Sequence, residues 1–406
     1  MEEKSRFAVG LDIGTGYIRA VVGKANRDGS VSVMGYNEAP SSGMRKGMVV
    51  NLTGPASAID TALKPVEDMS GVQVDAAVVS VNGVHILSTQ TDGMIAIGTT
   101  DHEVDEADLD RIDVVAATGK IPANREILDL VPYGYALDGQ GGIKDPLGMK
   151  GSRLEIRANV ISGLIPYCDN VRKTAELAKV EAESLVPSVV AAARAVLTER
   201  QMENGVGVID MGAATTGVAV YDEGDLQYVG VIPKGGNNIT NDLAMVLKTK
   251  PEIAEEIKCR FVSGLPQGSE KDIVIKRGRE EFAFSRAEVD EVAEARLEDI
   301  FDAVRRELKR AGYDKKLPEG IVMVGGGAKL RDIDAYAKEK VELAARVGTP
   351  VELSGVSEAV TKPEYAVAVG LMLTGLKNGG TVQAKKTGKK AEKTGGILKK
   401  ILNFFR

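Results

Sequence analysis

The sequence predicts a duplicated α/β protein: two similar lobes facing each other, a small α+β subdomain inserted in the first, and a basic tail ending in an amphipathic helix. Three observations predict it. A strand-turn-strand carrying Asp12-Ile-Gly-Thr-Gly16 recurs 198 residues later around Asp210-Met-Gly-Ala-Ala-Thr-Thr216, and related units at such a separation mark an internal duplication. A third apolar strand, over 320–324, ends in Gly325-Gly-Gly327. The last ten residues segregate apolar from basic side chains after a Lys/Gly/Thr-rich stretch.

Taken in order, residues 7–13 are apolar and β-prone, Gly14-Thr15-Gly16 turns the chain, and 17–22 returns. Periodicity predicts a helix over 53–70, a buried strand over 76–81, and a helical pattern over 171–200 interrupted at Pro187. The stretch 83–165 reads as an insertion. It holds short strands around 84–97, an acidic helix start at 105–110, a Gly/Pro-rich loop over 138–151 and a strand over 153–163. The second hairpin, 206–211 with 217–221, is followed by Gly235-Gly-Asn-Asn-Ile-Thr240, a helix through Leu247 and helical sequence over 252–260. Ser285-Arg-Ala-Glu288 reads as a capping box, in which hydroxyl and carboxylate satisfy free backbone N–H groups. Its helix runs to about Arg310 with Val289, Val292, Leu297, Ile300, Phe301, Val304 and Leu308 on one side. The strand over 320–324 should open another helix, and 377–396 has too few large apolar groups to fold.

Composition removes several chemistries. The 406 residues are 43% hydrophobic and 27% charged, an ordinary globular balance. No run of about 18 apolar residues exists to cross a bilayer, and the charged start lacks the apolar core of a secretory signal, so the expected location is the cytoplasm. Cys168 and Cys259, the only cysteines, read as two buried thiols and cannot build a Cys-rich zinc site. His85 and His102, the only imidazoles, exclude a multi-histidine metal site, and neither has a motif around it. Charge is uneven: residues 377–406 carry nine Lys or Arg against one acid, so a formal charge of −6 leaves −14 on the body. Such a body is a poor nucleic-acid binder, while the tail suits an anionic surface.

Each Asp-x-Gly turn has a phosphate logic. Gly14, Gly16 and Gly212 let backbone N–H groups approach phosphate oxygens, Thr15, Thr215 and Thr216 add hydroxyl donors, and Asp12 and Asp210 can hold Mg2+ through water. Gly325, Gly326 and Gly327 offer a side-chain-free surface suited to adenosine or phosphate contact. One such element is explained by a plain turn; three in this order are not.

With these motifs the chain resembles the actin and sugar-kinase ATPase superfamily, and within it the FtsA family of bacterial cell-division proteins. The resemblance covers 6–376 and is most specific at Asp12-Ile-Gly-Thr15, the insertion's stretch from Asp138 to Glu155, Gly235 to Asp242, Ala254-Glu-Glu-Ile-Lys258 and Gly320 to Ala328. It implies an actin-like (ribonuclease H-like) two-lobed ATPase fold that binds ATP with Mg2+. Glu255 and Lys258 would lie near adenine and ribose, and Gly235 and Gly236 would line the cleft. No residue is identified as the base for water, so hydrolysis is expected to be weak or absent. Ala213 and Ala214 stand where relatives have Gly-Gly, Gly217 replaces a common Asp, and Tyr17 a small or basic residue.

The resemblance divides the chain into a first lobe over 6–82, the insertion over 83–165, the first lobe resumed over 166–200, and a second-lobe core over 201–236. An outer, partner-docking subdomain over 237–312, core again over 313–354, a return to the first lobe over 355–376, the linker 377–396 and the helix 397–406 complete it. It implies the tubulin-like FtsZ as partner, with Arg296 as a contact, self-assembly into filaments, other divisome proteins, no nucleic acid, and a place on the cytoplasmic face of the cell membrane at the division site. The tail supports this from the residues themselves. On a helix, Ile397, Leu398, Ile401, Leu402, Phe404 and Phe405 fall within an arc of roughly 160°, opposite Lys399, Lys400 and Arg406. At about 15 Å it can lie on an anionic membrane but not span it. The alternatives are a PilM-like pilus-assembly protein and a small-molecule kinase on the same fold.

Overall fold

The computed structural model describes residues 6–98, 102–118, 120–265, 272–351, 353–355 and 358–380. Two sheets carry the duplication. In the first, the antiparallel strands Phe7–Ile13, Tyr17–Ala25 and Val31–Pro40 are extended by parallel Ala76–Val81 and Glu181–Pro187, with Leu353–Gly355 on the far edge. In the second, Val206–Met211, Thr216–Asp222 and Asp225–Ile232 form the same meander, extended by parallel Ile321–Val324 and Ala345–Val347. Strand Val206–Met211 is buried at every position. Its alternate residues serve two cores, Val206 and Val208 facing the first lobe and Ile209 and Met211 the second lobe's outer helices, as a two-residue period requires.

The lobes meet through two helices. Ser188–Val196 leaves the first sheet toward the second, and Ala366–Lys377 packs on it and on the first hairpin. At their crossing a Cβ on Gly370 would sit 1.7 Å from the Ala191 carbonyl oxygen, so backbone touches backbone and only glycine fits. One apolar cluster runs through this pair from Val9 and Val21 to Val208 and Val322.

The insertion is a four-stranded antiparallel sheet, Leu87–Ala96, Arg153–Leu164, Arg125–Leu137 and Gln140–Ile143 in spatial order. Helix Glu106–Ala117 covers one face over a small core of Ile112, Leu154 and Ile156. Asp105 caps that helix by accepting from the Asp108 N–H while Asp108 reaches back, which stabilises its start by about 1 kcal/mol. In the second lobe helix Arg286–Arg310 buries Val289, Leu297, Ile300, Phe301, Val304 and Leu308, with Val292 half-buried at the edge of the stripe.

Five expectations are corrected. The helical pattern over 171–200 is in fact helix Ile165–Leu177, strand Glu181–Pro187 and helix Ser188–Val196; parallel pairing with Ala76–Val81 overrides the local period. The Ser285 hydroxyl caps its helix, but Glu288 is exposed and its carboxylate makes no return bond to Ser285. Gly326–Lys329 is a single 3-10 turn, and the α-helix begins only at Ile333. Cys259 is exposed, whereas Cys168 is buried. Helix Ala366–Lys377 includes Lys377, and Gly380 closes its end by donating to the Gly375 carbonyl. The rest of the expected linker and the amphipathic helix lie outside the described residues. Among the described residues no helix is long and apolar enough to cross a membrane.

Candidate functional site

The two Asp-x-Gly turns have the same geometry. Each is a four-residue turn closed by its first glycine, Gly14 N–H donating to the Tyr17 carbonyl at 3.1 Å and Gly212 N–H to the Thr215 carbonyl at 2.9 Å. They face one another across the lobes, since a Cβ on Gly16 would lie 3.0 Å from the Ala213 side chain. Ala213 and Ala214 fit because neither adopts a left-handed backbone. Gly217 is explained by packing, as a Cβ there would meet the Val189 side chain at 2.9 Å. Tyr17 is 44% exposed and lies under the Arg19 guanidinium.

The carboxylates sit at the ends of buried strands and are themselves buried. Burial drives Asp12 above the usual carboxylate range, opposed by the Arg19 charge and by a 2.8 Å hydrogen bond from Ser80. Burial, reinforced by the charge of Asp12, pushes Asp210 up to about 7, with Arg19 opposing. Two carboxyls that each disfavour their charge, and disfavour the other's, gain from a cation between them.

The Gly325 turn reaches the same place. Gly325 has φ +83°, and a Cβ on it would lie 2.5 Å from the Asp210 carboxylate, so glycine is required by both conformation and space. Gly327 packs on Met211, while Gly326 faces open space. On the other side, the N–H groups of Gly236 and Asn237 donate to the Gly212 and Ala213 carbonyls, and a Cβ on Gly235 would lie 2.5 Å from the Gly212 oxygen. Gly235 and Gly236 therefore dock helix Gly236–Val246 onto the second turn. Thr216 fastens that strand by donating to the Lys234 carbonyl.

Lys258 and Glu255 continue the wall. The Lys258 ammonium donates to Glu255 at 2.7 Å, to the Thr240 hydroxyl at 3.0 Å and to the Gly236 carbonyl at 3.4 Å. Burial raises the Glu255 pKa, but bonds from Lys258 and Thr240 outweigh it and hold the carboxyl below its ordinary value. Glu255 borders a cleft of about 440 Å³ that Asn237, Thr240, Asn241, Pro251 and Glu252 also line. Asp12, Thr15, Asp210, Thr215, Gly235, Lys258 and Gly325 thus form one continuous arrangement. Arg296 stands apart: its guanidinium is held by Asp242 at 2.5 Å and Asp299 at 2.6 Å.

Three contributors escaped the sequence reading. Ser80 is the one hydroxyl in the apolar run Ala-Ala-Val-Val-Ser-Val, and that interruption was its signal. Arg19 stands directly opposite Asp12 in the hairpin register, deducible once the four-residue turn is fixed. Asn82, next after that apolar strand, donates to the Thr215 hydroxyl of the other lobe at 3.2 Å; no local pattern marks it.

Comparison with known proteins bears on this arrangement. Residues 207–370 match the model of the family described as Cell division protein FtsA, and residues 83–162 match the SHS2 domain inserted in FTSA. The chain is 35% identical to the Cell division protein FtsA of Pseudomonas aeruginosa, over 92% of this chain and 90% of that one. Among solved structures it is similar to the PilM-PilN type IV pilus biogenesis complex, with a TM-score of 0.67 at 17% identity, covering 90% of this chain and 98% of that one. It is also similar to MreB5 of Spiroplasma citri bound to ADP, with a TM-score of 0.55 at 14% identity, covering 92% and 97%. These structural likenesses establish the two-lobed actin-like fold.

Proposed function

We propose a function from one premise: this chain belongs to the FtsA family of cell division proteins. It binds ATP with Mg2+ between its lobes, assembles with copies of itself, and tethers an FtsZ ring to the inner face of the cytoplasmic membrane, where it recruits later division proteins. The observation that carries the nucleotide is the pair of acid-bearing turns meeting at Gly16 and Ala213, with the Gly325 turn against Asp210. Likeness to a protein solved with ADP supports it. The residues suit the ligand. Asp12 and Asp210 would hold Mg2+ through water, the turn glycines would admit phosphate oxygens, and Glu255 and Lys258 would border the nucleoside. The metal supplies positive charge against the phosphates. Binding rather than turnover is the proposed activity.

Gly326→Arg tests the nucleotide. Nothing lies within 4 Å of a Cβ at this position, so the fold should tolerate the side chain while the cleft does not. Labelled ATP should bind the parent and not the variant, at unchanged circular dichroism; equal affinity overturns the reading. The membrane role rests on the amphipathic pattern of 397–406. Leu402→Glu with Phe405→Glu puts two charges into its apolar face. Release from anionic vesicles in a flotation assay is expected, and undiminished flotation removes the tail as anchor.

A further inference from the structure

The inserted subdomain leaves the first lobe beside the two turns, and the residue at its point of departure bonds the second turn directly. Asn82 follows strand Ala76–Val81 directly. Its side-chain oxygen accepts from the Gly83 N–H at 2.7 Å. Because a backbone N–H can only donate, the amide is fixed with its NH2 aimed the other way. That NH2 donates to the Thr215 hydroxyl at 3.2 Å, across 133 residues and from one lobe to the other. Thr15, on the first turn, accepts from the Gly47 N–H at 3.0 Å, and a Cβ on Gly47 would lie 3.0 Å from the Gly83 nitrogen. The segment 82–83 therefore bonds the second turn and packs on the residue that holds the first.

From Asn82 the contacts run into the insertion without a gap. The Asn82 carbonyl bonds to His85 Nε2 at 3.1 Å. His85 is buried and stacked on Tyr167, with ring centroids 4.9 Å apart. The Leu164 N–H donates to its Nδ1, which fixes the proton on Nε2 and makes Nε2 the donor to Asn82. Arg125 then joins the His85 carbonyl to Ser162, tying the departing chain to the start of strand Arg125–Leu137 and the end of strand Arg153–Leu164. The far side of the insertion is held by the second lobe: the Asn159 amide donates to the Leu226 carbonyl at 3.1 Å, and Lys144 bonds Asp225 at 2.7 Å. A body held to the first lobe through Asn82, the Arg172–Glu126 pair and the return of its chain at Ile165, and to the second through Asn159 and Lys144, cannot keep its place on both when the lobes move.

We propose that Asn82 is a positioning residue of the nucleotide site: its amide contacts the phosphate region through Thr215 and passes the occupancy of that region to the inserted subdomain through His85. This rests on the nucleotide reading above. The experiment is hydrogen exchange of the full chain with and without saturating ATP and Mg2+, read at residues 13–16, 211–216, 84–97 and 153–164. In the parent both turns and both insertion segments should gain protection. In Asn82→Ala at saturating nucleotide the turns should remain protected, while the gain in the insertion falls by about half or more as the hydrogen-bonded link is removed. Asn82→Asp keeps the size and can still accept from Gly83, but turns a carboxylate toward the phosphates, and its ATP affinity should fall about tenfold or more. Insertion protection in Asn82→Ala equal to the parent's, or parent-like ATP affinity in Asn82→Asp, overturns the proposal. A parent that binds ATP with no change in the insertion overturns the coupling alone, whereas a parent that binds none overturns the nucleotide reading with it.

Discussion

The two acid-bearing turns share a backbone and differ in what surrounds it. Asp12 accepts from Ser80 on the neighbouring parallel strand and faces Arg19 across its hairpin. Asp210 has Val324 and Gly217 at the corresponding places. Both carboxyls are buried, yet only Asp12 has a hydroxyl donor on the neighbouring parallel strand and a guanidinium across the hairpin, while burial and the Asp12 charge push Asp210 up to about 7. Duplication conserved the turn and not the electrostatics. One lobe therefore presents the better-supported anion, and the other a carboxyl that still carries a proton in part near neutrality.

The comparison breaks most visibly at its stronger member. Asp12→Ala removes the better-supported carboxylate and strands the Ser80 hydroxyl, so Mg2+-dependent ATP affinity should drop by about 100-fold, or roughly 3 kcal/mol. Titration of labelled ATP with and without chelator measures this; loss of the chelator-sensitive part is the expected result.

Asp210→Asn sharpens the other side. The folded pKa of about 7 lies above the ordinary carboxylate value of 3.8, so the folded chain binds the extra proton. That contribution to stability is complete below pH 4 and is lost as pH rises through about 7. The parent should accordingly lose on the order of 2–4 kcal/mol across this window, and Asp210→Asn should lose less. Urea midpoints at several pH values without nucleotide provide the comparison, and parallel curves would count against the assignment.

A smaller effect follows from making the second lobe resemble the first. Val324→Thr places a hydroxyl where Ser80 stands in the other copy. It should lower the Asp210 pKa by about one unit and shift the stability curve toward acid, at a cost of about 1–2 kcal/mol for the altered core. The smallest change is expected at Ala214→Gly. This position needs no left-handed backbone, so ATP affinity should stay within about twofold and stability should fall by no more than about 1 kcal/mol.

Much of this was legible in the sequence because it is local. The strands bounding each turn, the helix over 53–70 and the stripe of the 286–310 helix follow from periodicity, and the turns from glycine and aspartate at fixed spacing. What was illegible is what tertiary contact decides. Strand Glu181–Pro187 is a strand because Ala76–Val81 lies beside it. Cys259 faces outward beside Glu255 although cysteines prefer the interior. That Ala213 and Ala214 can stand where relatives have Gly-Gly follows from a backbone that is not left-handed, which no local pattern states. Asn82 acts across lobes, and no periodicity carries a contact between residues 82 and 215.

The crossing at Gly370 and Ala191 has a mechanical meaning. Interlocked side chains act as gear teeth, and sliding past them requires repacking; here bare backbone rests on bare backbone, which makes the contact a bearing. The spacing of the two helices at this point is set by the main chain and not by a side chain. A single methyl at residue 370 would convert that bearing into a wedge, forcing apart the two helices and with them the sheets they pack on.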